Sequence, residues 1–212
     1  TAEIARRVGP GGQVLGVDIS EPLGVVARRH TAEFSHADIR IADAQTAAFE
    51  PESFNALFSR FGIMFFSDPD AAFSNLRRAL RPDGRMTFIC WRDLSENPWM
   101  ALPAMATAQH LPLKRPEPNA PGPFAFADIE RVSGILERAG FTKIQYEPLN
   151  ESVCLAEGQS LDAAISFVMR LGPSGAALRD NPVEPAVVEA IRNSVREALA
   201  PFSSPRGVVM PS

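Results

Sequence analysis

The chain has 212 residues, 45% of them hydrophobic and 22% charged, with a formal net charge of −4. That length is enough to bury the core of one α/β domain carrying a helical lid. The mildly acidic balance and the lack of any sustained Lys/Arg cluster exclude a nucleic-acid-binding face, and no apolar run approaches the ~20 residues that span a bilayer. Cys90 and Cys154 lie far apart in apolar runs without metal-ligand spacing, which reads as two reduced core thiols of a cytosolic, cytoplasmic protein without a metal centre.

In chain order, residues 2–8 (AEIARRV) read as an amphipathic helix stopped by the Gly9-Pro10-Gly11-Gly12 run. QVLGVDI has the length and character of a strand, and a helix follows from about Pro22 to His30, with the proline in its first turn. Residues 38–43 alternate as a strand does, and 53–59 (SFNALFS) form another short apolar strand. Ser67-Asp68-Pro69 opens a helix over 69–80 that closes before Pro82, with Asp83-Gly84 making a turn. RMTFICW (85–91) then reads as a strand buried on both faces. This alternation predicts an α/β fold with a mostly parallel, doubly wound sheet.

After Trp91 the pattern changes. Prolines 98, 103, 112, 116, 118, 121 and 123 leave room for only a short helix around 99–109 before an irregular stretch. Asp128 caps a helix over 129–139, Gly140 stops it, and 142–149 reads as a strand. Residues 160–172 and 183–200 are two further amphipathic helices. The predicted organisation is a core over 1–94, a lid insertion over 95–127, a return helix and strand over 128–152, and a helical substrate-lid segment over 153–212.

Four phrases in this order, GVDIS (16–20), IADAQ (41–45), LFSRFGIMFF (57–66) and LRRALRPDGRMTFICW (76–91), resemble the class I S-adenosylmethionine-dependent methyltransferases, in their ubiquinone/menaquinone-type small-molecule branch. The R-P-x-G phrase (81–84) is the most specific to that family and separates it from nicotinamide-dependent dehydrogenases. The resemblance implies a Rossmann-like methyltransferase sheet, S-adenosylmethionine as cofactor, and methyl transfer to an O, N or C atom of a small acceptor. It also implies that the chain continues before Thr1, into a central strand and a glycine-rich loop, and after Ser212, into a last edge strand.

By the same resemblance, Asp18, followed by Ile19, holds the ribose hydroxyls, and Asp43 takes the adenine amino group while the Ala44 amide donates to the ring. The alternative reading makes Asp18 a helix cap or surface acid and Asp43 a plain loop acid. Ser59, Arg60 and Phe61 line the methionine end, with an ion-pair role as the alternative for Arg60. Met64, Phe65, Trp91, Asn97 and Trp99 are candidates for the acceptor side, where the tryptophans flank an aromatic or apolar molecule, or else pack the core and lid. No triad, paired carboxylate or metal cluster is legible; His110 is the one conceivable general base, and methyl transfer to a reactive nucleophile runs on proximity alone. The alternative function is a non-catalytic descendant of the fold that binds a ligand or partner. The sequence carries no signal for oligomeric state.

Overall fold

The computed structural model describes residues 1–114, 117 and 119–212. In chain order the described residues form α1 (Ala2–Val8), β1 (Val14–Asp18), α2 (Glu21–Thr31), β2 (Ala37–Ile41), β3 (Phe54–Arg60), α3 (Pro69–Ala79) and β4 (Leu80–Ile89). There follow α4 (Pro98–Ala108), α5 (Ile129–Arg138), β5 (Ser152–Leu155), α6 (Leu161–Val168), α7 (Gly172–Asp180), α8 (Pro185–Leu199), β6 (Ser203–Ser204) and β7 (Gly207–Pro211). They divide into two compact units. The first comprises Thr1–Ser59, Phe66–Phe88 and Ser133–Ile144, and the second Arg60–Phe65, Ile89–Val132 and Gln145–Ser212.

In the first unit β1 and β2 are parallel, in register from Val14↔Ala37 to Asp18↔Ile41. β3 pairs with β4 in a second two-stranded sheet. The helices begin where side chains satisfy orphan amides: Ser20 Oγ accepts from Leu23 N at the start of α2, and Asp68 Oδ1 accepts from Ala71 N at the start of α3. α3 buries Ala72, Phe73, Leu76 and Ala79. Phe73 meets Phe66, Phe88 and Phe141 edge to face. Around Phe49, Leu76 and Ala79 gather Leu15 and Val17 of β1, Leu57 of β3 and Met86 of β4, so both strand pairs drain into one core.

The second unit joins α4, α6, α7 and α8 to a three-stranded antiparallel sheet in the order β5-β7-β6, with Leu155 opposite Val208 and Ser203 opposite the same valine. Trp99, Ile165, Ile191, Val195, Leu199, Val208 and Met210 are central to its core. The 95–127 and 153–212 segments thus contribute to one hydrophobic cluster.

Several expectations are corrected. β4 runs unbroken from Leu80 to Ile89 instead of starting at 85 after a separate turn. The bend is nonetheless present within it, since a Cβ on Gly84 would lie 3.0 Å from the Arg81 carbonyl oxygen. Nor is this strand buried on both faces. Arg85 and Thr87 are exposed while Met86 and Phe88 are half-buried, as one covered face requires. Residues 142–149 form no strand, because Lys143 adopts a left-handed φ of 56° that breaks the extension. The helix expected over 160–172 stops at Val168, and α7 begins afresh at Gly172, whose φ is +55°. The GVVMP stretch forms β7, the middle strand of its sheet. Pro116 and Pro118 of the irregular stretch lie outside the described residues.

Candidate functional site

In the first unit the loops after β1 and β2 carry the two candidate acids side by side. Asp18 is the last residue of β1, opposite Ile41 in the parallel register, and Ala42 N donates to the Asp18 carbonyl at 3.0 Å. Asp43 follows two residues beyond Ile41, in the loop and not in the strand as its sequence position suggests. Each acid folds its own loop. Asp18 Oδ1 accepts from Ser20 N at 2.8 Å, and Asp43 Oδ1 accepts from Gln45 N at 2.9 Å. In each case the other carboxylate oxygen has no protein donor among the described residues, and both acids are half-buried. A half-buried carboxylate with one oxygen spare is a ready acceptor for hydroxyl or amino hydrogens. Beside Asp18, Ile19 is 72% exposed and Leu23 59% exposed, an apolar surface of the kind on which a flat heterocycle lies.

Two residues not among the sequence's site candidates hold the second loop. Asn75 of α3 donates both amide hydrogens, to the Ala44 carbonyl at 3.0 Å and the Ala47 carbonyl at 2.9 Å. Gln45 Oε1 accepts from Asp68 N at 2.9 Å and from Ser67 Oγ at 3.1 Å. The sequence signal for Asn75 is an amide among the apolar positions of α3, next to the buried Leu76. Ala44, the half-buried neighbour of Asp43, is therefore fixed through its carbonyl, and Ser59 stands half-buried near the end of β3.

In the second unit the turn after β3 is strained and braced. Arg60 is exposed, and Phe61 takes a left-handed φ of 62°, which a bulky side chain adopts only when its surroundings hold it there. Two contacts do so: Phe61 N donates to the Ile89 carbonyl at 2.9 Å, and the Phe61 ring stacks on Trp91 with centroids 4.2 Å apart and planes 7° apart. Trp91 in turn meets Trp99 at 5.1 Å, tilted by 57°. Met64 is 1% exposed and Phe65 55%. Asn97 is buried and staples the turn before α4, donating to the Arg92 and Asp93 carbonyls at 3.1 and 2.9 Å. Asp93 Oδ1 accepts from the Ser95 hydroxyl and amide, which hold its carboxyl below the usual range.

Trp99 is 7% exposed, and its indole N–H is buried without a hydrogen-bond partner among the described residues. Such an orphan donor costs about 1–3 kcal/mol. It lines a small cavity together with Met100, Val168, Leu171 and Ser174. His110 stands apart: it is exposed, with Nε2 2.8 Å from Ser194 Oγ. Burial pushes the Cys90 thiol up, and Cys90 and Cys154 are both free. Among the described residues no helix is long and apolar enough to cross a membrane.

Residues 1–88 match the family model described as a methyltransferase domain. The chain is 37% identical over 84 residues to the nocamycin O-methyltransferase of Saccharothrix syringae, covering 39% of this chain and 30% of that protein. It is 32% identical over 89 residues to a demethylmenaquinone methyltransferase of Staphylococcus aureus, covering 42% and 37%. The matched stretch thus spans about a third of the length of these curated relatives. Among solved structures, the YcgJ protein of Bacillus subtilis superposes with a TM-score of 0.54 at 14% identity, over 84% of this chain and 71% of that one. That likeness establishes an α/β, Rossmann-like fold. Residues 1–88, the segment running from α1 into β4 that carries Asp18 and Asp43, thus resemble the class I S-adenosylmethionine-dependent methyltransferases.

Proposed function

We propose that this protein transfers the methyl group of S-adenosylmethionine to an oxygen, nitrogen or carbon atom of a small, apolar or aromatic acceptor in the cytoplasm. One observation carries the reading: two adjacent parallel strands deliver Asp18 and Asp43 to neighbouring loops, each with a carboxylate oxygen that no donor among the described residues uses. Asp18 would accept from the ribose hydroxyls and Asp43 from the adenine amino group, with the Ala44 amide turned to the ring and Ile19 beneath it. Ser59, Arg60 and Phe61 would face the methionine end. When bound, the cofactor supplies an electrophilic methyl on a sulfonium.

The chain's own work is orientation and exclusion of water. The Trp91 stack keeps Phe61 in its left-handed conformation, and a rigid turn holds its neighbours at fixed distance from what they bind. Met64, Phe65, Trp91, Asn97 and Trp99 supply the acceptor's surroundings, mostly apolar, which strengthens every polar contact made inside them. The reading needs no general base. His110, engaged with Ser194 at the surface, is given no step.

The test is calorimetric titration of S-adenosylhomocysteine into wild type and Asp43→Ala. Removing the acceptor of a half-buried amino group should weaken binding by about 1–3 kcal/mol. Equal affinity in the two proteins would remove the adenine assignment and, with it, the support for the reading.

A further inference from the structure

In the first unit, Gln45 has its side-chain oxygen fully engaged and its side-chain nitrogen idle. The oxygen accepts from Asp68 N at 2.9 Å and from Ser67 Oγ at 3.1 Å. The Asp68 amide can only donate, so oxygen and nitrogen cannot change places, and two bonds to the start of α3 fix the plane of the group. The –NH2 is therefore turned away from Asp68. Its two hydrogens meet no acceptor among the described residues, although Gln45 is half-buried. The backbone ties this donor to the acid beside it. Gln45 N donates to Asp43 Oδ1 at 2.9 Å, which leaves the other Asp43 oxygen without a donor among the described residues. Thr46 N and Ala47 N close the turn on the Asp43 carbonyl at 3.1 and 2.8 Å. One short turn thus holds a spare anionic acceptor and a spare amide donor two residues apart, and groups already held by the protein cost little to order on binding.

An acceptor beside a donor is the complement of adenine's edge, where the amino group donates and the neighbouring N7 accepts. A free Gln side chain satisfies that edge alone, its oxygen taking the amino hydrogen and its nitrogen serving N7. Here the Gln45 oxygen is spent on α3, and Asp43 stands in for it as a stronger, charged acceptor. We propose that Gln45 is a base-selecting residue of the cofactor site, donating a side-chain amide hydrogen to N7 while Asp43 accepts from the amino group. This inference deepens the cofactor assignment and so rests on the methyltransferase reading. It gives the bond from Gln45 to Asp68 a second consequence beyond holding the loop, since that bond decides which end of the amide is presented.

S-adenosylhomocysteine and its 7-deaza analogue, which carries C–H in place of N7, are the probes, titrated calorimetrically. The wild-type protein should bind the natural nucleoside about tenfold more tightly than the analogue. Gln45→Glu keeps an oxygen for Asp68 and Ser67 but turns an acceptor toward N7, so the ratio should fall to one or below. Gln45→Met, which removes the donor without adding charge, should bring it to about one. A residue that only holds the loop would weaken both probes alike and leave the ratio as in wild type, and that result in either variant overturns the proposal. Equal binding of the two probes by the wild type overturns it as well. The same titrations separate the two ideas. Tight S-adenosylhomocysteine binding without sensitivity to N7 sinks the Gln45 contact alone, whereas a wild-type protein that binds neither probe sinks the methyltransferase reading and the contact with it.

Discussion

Asn75 is where a change distant from the motifs should act on them. Its two amide hydrogens join the Ala44 and Ala47 carbonyls, and its Oδ1 accepts from Arg78 at 2.8 Å. Asn75→Ala deletes both loop contacts. At about 1 kcal/mol net for each hydrogen bond, the protein should lose about 1–2 kcal/mol of stability in urea unfolding. The same loop carries Asp43, so the bound conformation must then be selected from a looser ensemble, and S-adenosylhomocysteine affinity should fall about tenfold. Asn75→Asp is the sharper control. It has the shape of asparagine but presents acceptors to two carbonyl oxygens, so at neutral pH its loss should exceed that of alanine. The repulsion would raise the introduced carboxyl's pKa above its unfolded value. Asn75→Asp should therefore recover stability relative to wild type as pH falls through that raised pKa. If Asn75→Ala bound the nucleoside as wild type does while losing its expected stability, the 43–47 loop would not be part of the cofactor site.

Other expected outcomes follow from single contacts. Gly207 has a φ of +118°, and a Cβ there would lie 2.7 Å from the Leu155 carbonyl oxygen and 2.8 Å from that of Ala156. Gly207→Ala should cost about 2–4 kcal/mol in urea unfolding, since neither backbone oxygen can step aside; a loss below about 0.5 kcal/mol would refute the close approach. Asp93 has a carboxyl lowered by Ser95, so its contribution is present above the unfolded pKa and lost as pH falls through the folded one. Tryptophan fluorescence from Trp91 and Trp99 should change in that acid window, and Asp93→Asn should abolish the step. The Cys90 thiol is raised by burial, so its neutral form is favoured in the folded state, and that stability fades as pH rises through the folded pKa. Cys90 should react with a disulfide reagent more slowly than the same thiol in guanidinium, and equal rates would contradict its burial.

What the sequence made legible was what short-range chemistry decides. Asp68-Pro69 opens α3 and Gly140 follows the end of α5 as their capping roles require. β1 and β2 emerge from their apolar patterns within two residues of their ends. The misread pieces depend on partners far along the chain. β7 is a strand because Val208 faces Leu155 across 53 residues of sequence, and a five-residue apolar run does not announce such pairing. Residues 142–149 alternate as a strand would, yet Lys143 turns left-handed and no ladder forms. The break between α6 and α7 was readable in principle, since Gly172-Pro173 is a stop followed by a first-turn proline; the apolar spacing running up to Leu171 masks it.

The site divides along the same line. The acids after β1 and β2 are visible because a carboxylate at a strand end is a local feature. Asn75 and Gln45, which fix the second loop, are separated from their loop partners by more than 20 residues, and neither stands out in the sequence as a binding residue, Gln45 only closing the IADAQ phrase. The orphan N–H of Trp99 is further still from sequence, because it is defined by what the surrounding side chains fail to offer. An aromatic residue in a proline-rich insertion reads equally as packing or as binding. Only the packed structure shows that its N–H is buried with no partner among the described residues. A residue there for packing alone could be phenylalanine without loss. The indole is thus the more demanding choice, since its buried N–H carries a desolvation cost that phenylalanine would not.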